Sequence, residues 1–144
     1  MKAGVSTASL FLRKDNEDAL PLLESLGVNI AEVFLTSFSE YGYPFAELLK
    51  ERKGSLHINS VHDLNTGFEP QLFNAHPRVK ADAFGWLEKV LQSANALGAP
   101  YYTFHGTARL KKNSAPVDVE RVGKITQEII DVIKPHGITL AYEN

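Results

Sequence analysis

The sequence predicts an α/β fold of alternating parallel β/α units, about five strands and four helices of an incomplete (β/α)8 barrel. Three observations predict it. Strand-like and helix-like stretches alternate along the whole chain, which argues for a parallel sheet with right-handed crossovers. A glycine closes each helix-like stretch, at Gly27, Gly54, Gly98 and Gly137. Strands four and five each carry one apolar side and one smaller, more polar side, which suits a sheet covered by helices on one face only. An open, flavodoxin-like sheet is the competing architecture, and 144 residues suit it. That sheet wants strands apolar on both sides and a helix after the last strand. A complete (β/α)8 barrel takes roughly 250 residues. The chain is therefore expected to be a single domain over 1–144, the N-terminal portion of a barrel.

Composition narrows the class. Hydrophobic content of 44% and charged content of 22% are ordinary for a globular chain. A formal charge of −2 gives no electrostatic case for nucleic acid. The chain has no cysteine, which excludes disulfides and any thiolate ligand or nucleophile and fits a cytoplasmic location. Ser6, Thr7 and Ser9 interrupt the apolar run of Ala3 to Leu12, so it reads as a strand rather than a signal peptide. No run is long enough to span a membrane.

Each element follows from its residues. Lys2 to Leu10 reads as the first strand. A helix follows through Leu20, Leu22, Leu23 and Leu26, and Pro21 places its start late, near Asp18. Ile30 to Thr36 is the second strand. Pro44 opens a helix carrying Phe45, Leu48 and Leu49. Leu56 to His62 is the third strand, and Asp63 to His76 reads as a long, largely irregular loop. Pro77 opens the clearest helix, where Val79, Ala83, Trp86, Val90, Ala94 and Leu97 form an amphipathic stripe. Tyr101 to Thr107 is the fourth strand, with Tyr102 and Phe104 on one face and Tyr101, Thr103 and His105 on the other. Ala108 to Pro116 is a loop. Val119, Val122, Ile125, Ile129 and Val132 mark the fourth helix, and Ile138 to Glu143 the fifth strand.

The chemistry-bearing residues gather at strand ends. His62, His105 and Glu143 end strands three, four and five, and in parallel α/β folds chemistry sits at the C-terminal ends of strands. Imidazole nitrogen and carboxylate oxygen are the donors for zinc, manganese or iron. Neighbouring strands lie about 4.8 Å apart, so all three side chains can approach one ion or one substrate. Taken singly, each histidine is an ordinary structural residue and Glu143 a solvated carboxylate. Glu32 lies on the second strand. Pointing inward it is a buried carboxylate that needs a partner and a substrate-binding candidate; pointing outward it is a surface residue. Arg109, Lys111 and Lys112 follow the fourth strand. Arg109 is a candidate for binding a substrate anion, although a solvated loop explains the run as well. Asp63, Asn65 and Gln71 are available to sugar hydroxyls. His57, His76 and His136 read as strand-start, loop and cap residues. The chain has no phosphate-binding glycine loop, no nucleophile elbow and no dinucleotide fingerprint.

Ala31-Glu32-Val33-Phe34-Leu35, Ser60-Val61-His62, Phe104-His105-Gly106 and Leu140-Ala141-Tyr142-Glu143-Asn144 occur in order at suitable spacings. Together they resemble the xylose isomerase-like TIM-barrel superfamily, in its sugar phosphate isomerase/epimerase branch. Phe68-Glu69-Pro70-Gln71-Leu72-Phe73 and Tyr101 to Leu110 add to the likeness. The resemblance implies a divalent metal (Mn, Zn, Mg or Co) at the barrel mouth and a sugar or sugar-phosphate substrate. It also implies proton transfer beside a carbonyl through an enediolate. It assigns Glu143 to the metal and to acid/base work, and places His62 and His105 beside substrate. In the endonuclease IV branch the counterparts of these histidines are zinc ligands, so an abasic-site nuclease is the alternative reading. Nothing in the sequence corresponds to strands six to eight. The expectation is therefore that the chain is part of a longer protein, or pairs as a half-barrel with itself or a partner, and does not catalyse alone.

Overall fold

Among the described residues, five parallel strands pair in chain order, β1-β2-β3-β4-β5. They are β1 (Val5–Ser6), β2 (Ile30–Leu35), β3 (His57–Asp63), β4 (Tyr101–Phe104) and β5 (Thr139–Tyr142). Sequential order separates the two architectures. A flavodoxin-like sheet reverses direction at its first strand, whereas a barrel never does. A computed structural model of the chain describes residues 3–64, 67–106 and 118–143. Among these residues, five α-helices accompany the strands: α1 (Asn16–Ser25), α2 (Tyr43–Arg52), α3 (Glu69–Leu72), α4 (Pro77–Leu97) and α5 (Val119–Ile133). Helices α1, α2, α4 and α5 pack against one another in that order, as the outer ring of a partial barrel requires.

The core lies between sheet and helices. β2 alternates, with Ala31, Val33 and Leu35 buried and Ile30, Glu32 and Phe34 half-buried. The buried set meets Leu20 and Leu23 of α1, Leu49 of α2, and Leu87, Val90, Leu91 and Ala94 of α4 in one cluster. Tyr102 and Phe104 of β4 are fully buried on that face, as their parity predicts, while Thr103 turns the other way. Gly98 closes α4 in the left-handed region at φ 70°, where a side chain is disfavoured.

Three expectations about boundaries are corrected. The first strand is only Val5–Ser6, and Thr7–Leu10 winds into a 3-10 turn. Hydroxyls explain the change: Ser6 Oγ accepts the Ala8 N–H, and Thr7 Oγ1 accepts the Phe34 N–H at 2.8 Å. Helix α1 starts at Asn16, so Pro21 lies inside it. Asn16 is buried and donates through Nδ2 to the Phe34 carbonyl at 2.9 Å, an anchor that starts the helix early although proline removes one backbone bond. The stretch after Asp63 is not wholly irregular, because Glu69–Leu72 forms the short helix α3, seated by buried Phe68 and Leu72. Among the described residues, no helix is long and apolar enough to cross a membrane.

Candidate metal and substrate site at the strand ends

A slip in register aims His62. Ala31 sits opposite Ile58, but Glu32 sits opposite Ser60, so Asn59 is an extra residue in β3. Side chains alternate along a strand, and one inserted residue reverses the parity of everything after it. Ser60 and His62 therefore share the inner side of the sheet with Glu32 and Phe34, while Ile58 and Val61 both face the helices. His105 follows the last residue of β4, and Glu143 the last residue of β5, where its N–H donates to the Phe104 carbonyl at 2.9 Å. The glycine after His105 is required by the backbone. Gly106 has φ 79°, and a Cβ there would overlap the Tyr142 hydroxyl.

The three predicted strand-end residues converge. His62 Nε2 and His105 Nε2 stand 3.0 Å apart. Glu143 Oε2 lies 3.8 Å from the first and 3.6 Å from the second. One donor atom from each of the three falls within 4.8 Å of the others. Donors held about 2.0–2.1 Å from one zinc ion stand roughly 3 Å apart, so the donor set fits a divalent ion in chemistry and spacing.

Carboxylates back both histidines. Glu32 points inward, and its half-buried carboxylate accepts from Ser60 Oγ at 2.8 Å and from Thr103 Oγ1 at 3.1 Å. His62 Nδ1 lies 3.4 Å from its other oxygen. Burial opposes the charge on Glu32, but hydrogen bonds from His62, Ser60 and Ser6 outweigh it and hold the carboxyl down to about 2. Burial likewise works against a charged His62, and the Glu32 bond with the nearby carboxylates pushes its pKa up. Behind His105 lies Glu69, wholly buried at 0% exposure. Its Oε2 accepts from the His105 N–H at 3.1 Å and contacts Nδ1 at 3.0 Å, and its Oε1 accepts from the Tyr102 hydroxyl. Burial raises the pKa of Glu69 against these bonds. Asp63 is equally buried and is bonded by the Tyr41 hydroxyl through Oδ1, and burial lifts its pKa to about 7.

An apolar wall completes the mouth. Phe34 packs edge-on against His62 at 5.2 Å between ring centroids, and Phe11 packs edge-on against Phe34 at 5.9 Å. Arg109, with Lys111 and Lys112, lies outside the described residues, as do Asn65 and Asn144. His57 is exposed at the opposite end of β3, His76 precedes α4 at its N-cap, and His136 contacts Glu88 and Asn95 on the outer surface. Gln71 is exposed and pairs with Asn74. Sequence reasoning gave Glu69 no place in the site. The available signal was a carboxylate inside an otherwise apolar turn, between Phe68 and Leu72, which has to find buried donors.

The sequence over residues 20–144 matches the family model of the xylose isomerase-like TIM barrel. The chain belongs to this family. Solved structures agree with the assignment. The xylose isomerase-like chain resembles D-psicose 3-epimerase from Clostridium cellulolyticum H10, crystallised with D-tagatose, at a TM-score of 0.72 and 18% identity, over 97% of this chain and 51% of that one. It resembles a xylose isomerase domain protein from Planctomyces limnophilus at a TM-score of 0.70 and 16% identity, over 98% and 53% of the two chains. A sugar phosphate isomerase/epimerase from Parabacteroides distasonis ATCC 8503 follows at a TM-score of 0.59 and 19% identity, over 98% and 50%. At such identities the likeness is one of fold. The chain spans about half the length of these solved structures. No curated protein matches the sequence significantly.

Proposed function

We propose that the chain forms the N-terminal part of a metal-dependent sugar or sugar-phosphate isomerase/epimerase that works by proton transfer through an enediolate. One observation carries the reading: His62, His105 and Glu143 bring their donor atoms within 4.8 Å of one another at the strand ends of a xylose isomerase-like fold. These three residues would hold the ion. When bound, it supplies a Lewis acid that polarises the substrate carbonyl and favours loss of the neighbouring proton.

The chain's own residues do the rest. Glu143, more than half exposed at the mouth, reaches substrate and moves the proton between carbon and oxygen. His105 and His62 orient substrate oxygens and share the ion. Glu32 acts through His62, holding the ring from behind. Phe34 and Phe11 give the carbon face of a sugar an apolar surface. Arg109 is assigned to the substrate's anionic group. The chain spans about half of the matched solved structures and brings one proton-transfer group to the site, so the isolated 144 residues are expected to bind without turnover.

The test is a titration of the chain with Co2+, followed by D-tagatose, D-psicose and a ketose phosphate. Sugar-dependent changes in the Co2+ spectrum, lost in Glu143→Gln, support the reading. A spectrum indifferent to every sugar contradicts it. The histidine pair favours a second reading, a zinc-dependent abasic-site nuclease. The formal charge of −2 is poor for a phosphate backbone. Tight, salt-sensitive binding of abasic duplex DNA would reverse the order.

A further inference from the structure

We infer that Glu69 is a positioning residue that fixes the proton of His105 on Nδ1 and so presents the Nε2 lone pair to the His62–Glu143 cluster. This role rests on the ion site proposed above. Glu69 belongs to α3, 36 residues before His105 in sequence, yet it is wholly buried. It grips His105 twice, through the backbone N–H at 3.1 Å and through Nδ1 at 3.0 Å, both on Oε2. Tyr102, also fully buried, occupies Oε1 with its hydroxyl. Both oxygens of Glu69 already accept, Oε1 from the Tyr102 hydroxyl and Oε2 from the His105 N–H, so the ring nitrogen that shares Oε2 carries the hydrogen. A neutral imidazole has one N–H, which leaves Nε2 of His105 as an acceptor aimed into the site.

The facing histidine obeys the same bookkeeping. Two Nε2 lone pairs cannot meet at 3.0 Å without something positive between them. When no ion is bound, His62 Nε2–H donates to His105 Nε2. His62 Nδ1 lies 3.4 Å from Glu32 Oε1, the oxygen that Ser60 and Thr103 leave open, so a second hydrogen on that ring has an acceptor there. Glu69 thus makes His105 the fixed ligand and leaves His62 the ring that changes its hydrogen when a cation enters. Carboxylates behind metal-binding histidines set tautomer and orientation in this manner.

Glu69 as a simple anchor between α3 and β4 would predict none of this. The deciding measurement is the long-range 1H–15N spectrum of the wild-type 144-residue chain with labelled histidine, without metal, at about pH 8.5, where free imidazole is neutral. His105 should be protonated at Nδ1 and bare at Nε2. Glu69→Leu, which keeps the bulk and accepts nothing, should shift His105 toward the Nε2–H form and weaken Zn2+ affinity roughly 10–100-fold in competition with a chromophoric chelator. Tyr102→Phe keeps the carboxylate and should retain the Nδ1–H signal, so it serves if the leucine variant does not fold. Finding His105 as Nε2–H in the wild type overturns the inference. So does a Glu69→Leu chain that folds with the same tautomer and the same zinc affinity. A wild-type chain with His105 protonated at Nδ1 and no zinc binding would support the role of Glu69 while removing the ion site.

Discussion

His62 and His105 come from different strands and meet through their Nε2 atoms at 3.0 Å, each ring backed by a carboxylate. The arrangement is a row, Glu32, His62, His105, Glu69, with Glu143 standing over its centre. Every member except Glu143 is half-buried or wholly buried, so the row is held by packing rather than by solvent-exposed pairing.

Replacing Glu32 by glutamine should lower the pKa of His62. Burial alone would depress it, and the Glu32 bond and charge are what raise it. A proton NMR titration of the His62 ring checks this. An unchanged or higher pKa in Glu32→Gln would show that the remaining carboxylates, not Glu32, set the charge.

Asp63 should make stability fall as pH rises. Its folded pKa is lifted from 3.8 to about 7 by burial, so between those values the folded chain holds a proton that the unfolded chain has lost. That contribution is intact below about pH 4 and is lost as pH passes about 7, up to on the order of 4 kcal/mol at 1.36 kcal/mol per unit. Urea unfolding at several pH values, for wild type and Asp63→Asn, isolates the slope, since His62 and Glu69 slope the same way in both chains. Parallel curves would contradict the assignment.

Gly106→Ala should destabilise the chain by about 1–2 kcal/mol from the left-handed backbone alone. It should also displace Tyr142, whose ring would overlap the new Cβ. Thermal unfolding reads the first effect. The fluorescence of a Tyr142-sensitive difference spectrum reads the second, and neither change appearing would mean that the turn after His105 relaxes freely.

The fold was legible because its strongest signals are local. The α4 stripe, the closing glycines and the parity of β4 each depend on neighbours within a few residues. The strand-end trio was legible for the same reason, since position alone placed His62, His105 and Glu143 together. Glu32 was ambiguous because its direction depends on pairing with β3, and the extra residue Asn59, which turns His62 inward, leaves no mark in a single strand's pattern. The burial of Glu69, and of Asp63, which the sequence offered to sugar hydroxyls, stayed hidden for a related reason. Their partners Tyr102, His105 and Tyr41 come from distant elements, and only the packed molecule brings the donors to the carboxylates.

The isolated 144-residue chain should convert no ketose to its epimer or isomer at a steady rate, with or without added Mn2+ or Co2+. It spans about half of the matched solved structures, and Glu143 is the one acid/base group assigned here. Sustained, metal-dependent turnover, followed by chromatography of D-psicose and D-tagatose, would show that five units suffice.

One divalent-ion site is proposed for His62, His105 and Glu143. Its test is a calorimetric titration of the chain with Zn2+, in parallel with His62→Ala, His105→Ala and Glu143→Ala. The expected result is one ion per chain in the wild type and at least about tenfold weaker binding in each variant, with the fold retained. Zinc binding that is absent in the wild type, or equal in all four chains, would contradict it.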